Sequence, residues 1–299
     1  MTTPKGAEQA AADGVQVVFN YGNPPTPQDA LGQKLQALHM KVLDGFISSA
    51  LTHYECHRTW TVKPPPPGAP PFCAADNSQL SSEDALLKTI EQHLQQTRSN
   101  PLIMGYWVLD DWVSWDAGSA RGTLIRIHDL IQRFTPHYPA ICGFGGSLPI
   151  GSSAGWNDQV AANFSPKGCD MVGLYIYAPS VSPLSNLSAT DFDWSMSTLL
   201  PRIFSSLKSR GWDSAKVPLI GIGQAFGGLN ASGDHYWITP RAEDIETQSK
   251  SFCAHGASGL VFYAWNDSGF GHNAQTPGNS SEIQAGIRLG ISACQQYWR

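Results

Sequence analysis

The sequence predicts an α/β fold in which eight parallel strands, each followed by a helix or loop, close into a single barrel. Three observations carry that reading. Eight short apolar runs alternate with longer stretches whose apolar residues recur three or four positions apart. Runs such as VQVVF, LIMGYWVL, MVGLYIY, PLIGIG and GLVFYAW are apolar on both faces, as in parallel strands covered on two sides. No GxGxxG or GxxxxGK[ST] phosphate loop is present to support a doubly wound nucleotide-binding sheet. The architecture expected is therefore a (β/α)8, or TIM, barrel over residues 15–299, preceded by a flexible N-terminal segment, residues 1–14.

The strands expected, in order, are Val15 to Tyr21, Lys41 to Ser48, Tyr54 to Trp60, Met104 to Asp110, Ala140 to Gly145, Met171 to Tyr177, Pro218 to Ala225 and Gly259 to Trp265. Helices are expected at Gln28 to His39, Glu83 to Arg98, Gly122 to Phe134, Met196 to Arg210, Arg241 to His255 and Ser281 to Gly290. Ser81 or Ser82 reads as the cap of the second, and Pro240 as a first-turn proline of the fifth. After the third strand, Val62 to Gln79 holds six prolines and reads as a long Pro-rich loop. Ser147 to Lys167 is rich in Gly, Ser and Pro and carries at most a short helix.

Composition narrows the partners. Only 14% of the 299 residues are charged, the net charge is −5, and no dense basic run offers a footprint for nucleic acid. No apolar stretch approaches the roughly 20 residues of a membrane span. Nine histidines lack HExxH or comparable spacing, so neither a catalytic metal nor another cofactor is expected. Six cysteines without a CxxC pair fit three disulfides between sequence neighbours: Cys56 with Cys73, Cys142 with Cys169, and Cys253 with Cys294. With Asn-x-Ser sequons at Asn163, Asn186, Asn230, Asn266 and Asn279, they point to a secreted glycoprotein, expected as a monomer.

In such barrels the chemistry gathers at the C-terminal ends of the strands. The first run ends Asn20-Tyr21, and the third holds or precedes Glu55, His57, Arg58 and Trp60. The fourth ends Asp110-Asp111-Trp112, the sixth Tyr175-Ile176-Tyr177, the seventh Gln224-Ala225-Phe226 and the eighth Trp265-Asn266-Asp267. Rings that stack on pyranose faces, mixed with amides and carboxylates that bind hydroxyls, suit a sugar. Two adjacent acids beside Trp107 and Trp112 would repel one another and lose solvent, which favours a proton donor. The competing reading is that one of them caps the next turn.

Gly105-Tyr-Trp-Val-Leu-Asp-Asp-Trp112, then a helix and His137-Tyr-Pro-Ala-Ile141, resembles the strand-4 block of glycoside-hydrolase-like TIM barrels. Asp170-Met-Val-Gly-Leu-Tyr-Ile-Tyr177, Pro218-Leu-Ile-Gly-Ile-Gly-Gln-Ala-Phe-Gly227 and Gly256-Ala-Ser-Gly-Leu-Val-Phe-Tyr-Ala-Trp265 resemble that group's sixth, seventh and eighth strands. The resemblance implies a retaining-clan site with the acid/base at Asp111, a tyrosine at Tyr175 or Tyr177 and a tryptophan at Trp265. Gln224 stands where that clan carries its nucleophilic Glu, and a neutral amide cannot be a carboxylate nucleophile. The second catalytic function then falls to Asp267, Asp110, Asp44 or Glu55, or to the substrate's own acetamido group, or the barrel binds glycans without cutting them.

The function expected is hydrolysis of a glycosidic bond in an oligo- or polysaccharide. Asp111 is its proton donor, Asp110 tunes it or exchanges roles with it, and Asp267 is the partner carboxylate. Asn20, Tyr21, His57, Arg58, Tyr175, Tyr177, Gln224, Trp265 and Asn266 are expected at the sugar, with Trp60, Trp112 and Trp237 as more distant stacking platforms. The alternatives are a non-catalytic glycan-binding barrel and a lyase or isomerase on the same scaffold.

Overall fold

The structure, a computed structural model, describes residues 3–59, 80–110, 120–145, 162–177, 196–197, 200–231, 233, 236–265 and 270–298. In chain order its elements begin α1 (Pro4–Ala12), β1 (Val17–Asn20), α2 (Ala30–Ala37), β2 (Lys41–Asp44), α3 (Phe46–Thr59), α4 (Glu83–Thr97), β3 (Ile103–Leu109), α5 (Arg121–Phe134) and β4 (Ala140–Gly145). They continue β5 (Met171–Ile176), α6 (Leu200–Ser209), β6 (Leu219–Gln224), β7 (Gly228–Leu229), β8 (Tyr236–Trp237), α7 (Ala242–Ala254), β9 (Ala257–Tyr263) and α8 (Ser281–Cys294). Seven strands form one parallel sheet in the order β1-β2-β3-β4-β5-β6-β9, while β7 and β8 make a small antiparallel ribbon.

Alternation along the strands separates two cores. Ile141, Tyr175, Ile220 and Ile222 point to one face, where they meet Val17 and Phe19 of β1 and Val261 and Tyr263 of β9. Side chains from the first and last strands share this inner cluster, so the sheet is curled around it. Cys142, Phe144, Val172 and Leu174 point to the other face and pack under the helices with Ile90, Ile127, Leu200 and Phe252. β4 and β6 are buried along their whole length, which is why their sequences are apolar throughout except for Gln224 at the end of β6.

Seven of the eight expected strands are present. The exception is Tyr54 to Trp60, whose residues as far as Thr59 belong to α3. Ile47, Ala50, Leu51 and Glu55 are buried at three- and four-residue spacings, a helical stripe that the aromatic and polar residues after it obscure. The expected second strand, Lys41 to Ser48, likewise ends at Asp44, and its last three residues begin α3. Within residues 1–14, expected to be flexible, Thr3 caps α1 by accepting from the Gly6 N–H. Ala7 and Ala10 of α1 pack fully buried against Val18, Leu35 and Val42. The Thr-Pro start was a legible helix signal. The Pro-rich loop at 62–79 lies outside the described residues.

Local sequence sets the helix starts. Asp29 caps α2 by accepting from Gly32 N–H (2.7 Å) and Thr26 N–H (2.6 Å). Burial works to raise its carboxyl, but these hydrogen bonds prevail and hold it below the usual value. The stability from this cap is therefore present above the unfolded pKa of about 4 and is lost as pH falls through the lower folded value. Asp29→Ala is expected to cost about 1 kcal/mol at pH 7 and less in acid, read by urea unfolding at the two pH values. Ser82 and Ser280 cap α4 and α8 in the same way.

Two expected disulfides are formed: Cys142–Cys169 ties β4 to the chain entering β5, and Cys253–Cys294 joins α7 to α8. Cys73 and the side chain of Cys56 lie outside the described residues. Among the sequons, Asn163 is fully buried and accepts from the Ala120 N–H (3.0 Å), so the folded chain cannot present it for glycosylation. No helix among the described residues is long and apolar enough to cross a membrane.

Candidate active site

The candidate residues gather at the C-terminal ends of the strands, where β3 makes the decisive turn. Trp107 points inward, and a register shift against β4 between Trp107 and Leu109 puts Leu109 with the outer core. Strict alternation from Trp107 would have sent Leu109 inward and Asp110 outward. The irregularity instead brings Asp110 to the inner rings, a re-aiming for which β-bulges near active sites are known. Its Oδ1 accepts the Trp107 indole N–H at 3.0 Å and a hydrogen bond from the Tyr175 hydroxyl. Both donors come from inward-facing positions, on β3 and β5, and both hydrogen bonds to a carboxylate are of the stronger, charge-assisted kind.

Room for those rings comes from glycine. A side chain on Gly143 of β4 would meet the Tyr175 ring at 2.7 Å and the Trp107 ring at 2.9 Å, and one on Gly173 of β5 would meet Trp107 at 2.7 Å. Trp107 and Tyr175 stand edge to face at 6.1 Å, and Phe19 packs on Trp107 at 5.5 Å. Farther along the rim Tyr177 stacks on Tyr263 (5.9 Å), and Phe226 stacks on Phe270 (4.7 Å) with Trp237 against its edge (5.4 Å).

Burial first, then the Asp110 charge, pushes the Tyr175 hydroxyl well above the usual phenol value, so Tyr175 remains a donor. Burial likewise pushes Tyr106, on the outer face of β3, up to about 12. Both groups hold their protons more tightly folded than unfolded. Their contribution to stability is thus complete below pH ~10 and is lost as pH rises toward the folded values. The melting temperature is expected to fall between about pH 10 and 12, and to fall less steeply in Tyr106→Phe, as followed by circular dichroism.

Gln224 sits at the inward-facing end of β6, fully buried, and its amide nitrogen donates to the carbonyls of Phe226 (2.9 Å) and Ile238 (2.8 Å). The side chain expected at the sugar therefore braces its own loop, the one carrying Tyr236 and Trp237. That loop is also joined to the segment after β9, through the Gly227–Gln275 and Asn230–Phe270 bridges. The two form one ring-lined wall.

Other expected residues fall elsewhere. Asp44 points outward from β2, fully buried, and meets His93 Nε2 of α4 at 2.7 Å, so it anchors a helix instead of entering the mouth. Glu55, His57 and Arg58 belong to α3, not to a strand end. Glu55 is buried in that helix, and the side chains of His57 and Arg58 lie outside the described residues. Asn20 ends β1, with its amide donating to the Asn23 carbonyl (2.7 Å), and half-exposed Tyr21 packs on Phe19 at the rim. Trp265 packs with the outer clusters beneath α1, α2 and α8, and Tyr263 takes the inward place on β9. Asp111, Trp112, Trp60, Asn266 and Asp267 lie outside the described residues. Tyr263 and Phe270 were missed from the sequence, although Tyr263 shares the inward parity of Val261.

Solved structures of glycoside hydrolases superpose on the curled parallel sheet and helices of this chain. An endo-β-1,4-mannanase from Thermotoga petrophila matches with a TM-score of 0.58 at 11% identity, over 99% of this chain and 74% of that one. A chitinase from Chromobacterium violaceum matches with a TM-score of 0.53 at 12% identity, over 96% and 95%. A β-galactosidase from the psychrophilic Marinomonas ef1 gives 0.56 at 11% identity over 97% of this chain, which spans only 56% of that enzyme. No family model and no curated protein matches the sequence. At such identities the likeness establishes the fold.

Proposed function

We propose that this protein is a secreted glycoside hydrolase that cleaves a glycosidic bond in an oligo- or polysaccharide by carboxylate acid/base catalysis. The observation that carries the reading is Asp110, held at the end of β3 by the Trp107 indole and the Tyr175 hydroxyl inside an aromatic mouth. In this proposal Asp110 serves as the ionised member of the pair, Asp111 gives its proton to the leaving oxygen, and Asp267 supplies the partner carboxylate. Tyr175, Tyr177, Tyr263 and Trp237 present ring faces and phenol groups to the sugar, with Tyr21 and Trp112 at the rim. Gln224 acts through the loop it braces. Two disulfides support export.

Release of reducing ends from a panel of soluble polysaccharides tests the reading. Cleavage of at least one member is expected, and Asp111→Asn should lower that rate by about 100-fold or more. A panel on which the protein binds glycans but releases nothing would overturn hydrolysis. It would favour a non-catalytic glycan-binding barrel, which the neutral Gln224 at the end of β6 also suits.

A further inference from the structure

The last helix packs back onto the start of the chain, while among the described residues the sheet has two open edges. Arg288 of α8 pairs with Asp13 at the end of α1, and a side chain at Gly14 would touch Ile291 of α8 at 3.4 Å. Val15, just before β1, shares an apolar cluster with Ile283 and Ile287 of α8 and with Phe262 of β9. Beneath these contacts, β1 and β9 are the two ends of the sheet, and among the described residues neither has a strand on its outer side. Inward side chains of both, Val17 and Phe19 of β1 and Val261 and Tyr263 of β9, pack against the same inner cluster. Their burial sets them apart from the middle of the sheet. Val17 and Phe19 of β1, and Leu260 to Tyr263 of β9, are half-exposed, whereas every residue of β4 and β6 is buried. The β9 sequence is apolar on both faces, as in a strand with neighbours on both sides, yet it lies at an edge.

We propose that the slot between β9 and β1 is built for one further parallel strand, an apolar extended segment that runs directly into α1. The occupant follows from the topology. Both walls of the slot are parallel strands pointing the same way, so the donors and acceptors they leave open are matched by a strand of that direction. α1 lies on the outer face of β1 and delivers the chain to its start. A strand feeding α1 through a right-handed crossover, the hand nearly all such units adopt, lands on the side of β1 away from β2, which is the slot. Between the lengths of β1 and β9 it would have four to seven residues. Its side chains would be apolar on both faces: inward against Phe19 and Val261, outward beneath α1 and α8. The eighth barrel strand, misplaced by the sequence reading at Tyr54 to Trp60, belongs here.

Hydrogen exchange on the chain with and without an added strand tests this. The extension is a Val/Ile hexamer joined through a four-residue Gly/Asn loop to Thr3, and the control carries proline at alternate hexamer positions. In the unextended monomer the outer-edge amides of β1 and β9 are expected to exchange at least about 100-fold faster than those of β4. The Val/Ile extension should slow both edges about tenfold or more and raise the melting temperature, and the proline form should do neither. If the extension hinders folding, the free hexamer peptide added in trans gives the same readout. Edges of the unextended chain already as protected as β4 would overturn the proposal: in a monomer by light scattering, another part of this chain fills the slot, and in a dimer, a second copy does. Unchanged exchange on adding both the extension and the peptide would overturn it as well.

Discussion

Asp110→Asn is expected to lower the rate of glycan hydrolysis by about 100-fold or more while leaving the fold in place. The reasoning separates charge from shape. Asparagine keeps a carbonyl oxygen able to accept from the Trp107 indole and the Tyr175 hydroxyl, so the inner cluster loses little of its packing. What disappears is the negative charge and the capacity to exchange a proton, at the position where β3 delivers them to the mouth. A hundredfold loss corresponds to about 2.7 kcal/mol of transition-state stabilisation, within the range of one acid/base group. Steady-state kinetics beside a thermal melt are the measurement. Wild-type rates in Asp110→Asn would remove Asp110 from the reaction and leave Asp111 alone. Tyr175→Phe should cost less, since the indole hydrogen bond stays.

Gly143→Ala tests the same site from beneath. The added methyl would sit 2.7 Å from the Tyr175 ring, 2.9 Å from the Trp107 ring and 2.9 Å from the Leu109 carbonyl oxygen. Two of those contacts are the rings that hold Asp110, and the third is backbone beside the register shift that aims it. Overpacking of this kind costs about 1–3 kcal/mol, and relieving it must move the donors. A fall in stability of that size, with a fall in kcat of about tenfold or more, is expected from denaturant unfolding and initial rates. Gly122→Ala, on the exposed first turn of α5 where nothing lies within 4 Å, is the control and should leave kcat unchanged while raising stability by about 0.5–1 kcal/mol. An unaffected kcat in a destabilised Gly143→Ala would mean that the Trp107 and Tyr175 positions do not matter to the chemistry.

The strands were legible where burial on two faces writes itself into composition. β4 runs from Ala140 to Gly145 as expected, and β3, β5, β6 and β9 overlap their expected runs. The disulfides Cys142–Cys169 and Cys253–Cys294 followed from sequence proximity. The expected strand at Tyr54 to Trp60 failed because a run of aromatic and polar residues has no period of its own. The buried Ile47, Ala50 and Leu51 that make it a helix lie before it. Trp265 and Gln224 were placed at the sugar by analogy of position. Their actual contacts, with the outer clusters and with the carbonyls of Phe226 and Ile238, depend on how loops far apart in the chain pack together.

By itself the amino-acid sequence determined the alternation of strand and helix, the parallel sheet and the strand ends on which acids and rings accumulate, because periodicity and two-sided burial are local properties of a chain. Which of those acids turns inward, which rings meet it and which edges of the sheet remain open were decided only by the tertiary structure. One shifted residue pair between β3 and β4 sends Asp110 inward, and no pattern within β3 alone records a register that its neighbour imposes.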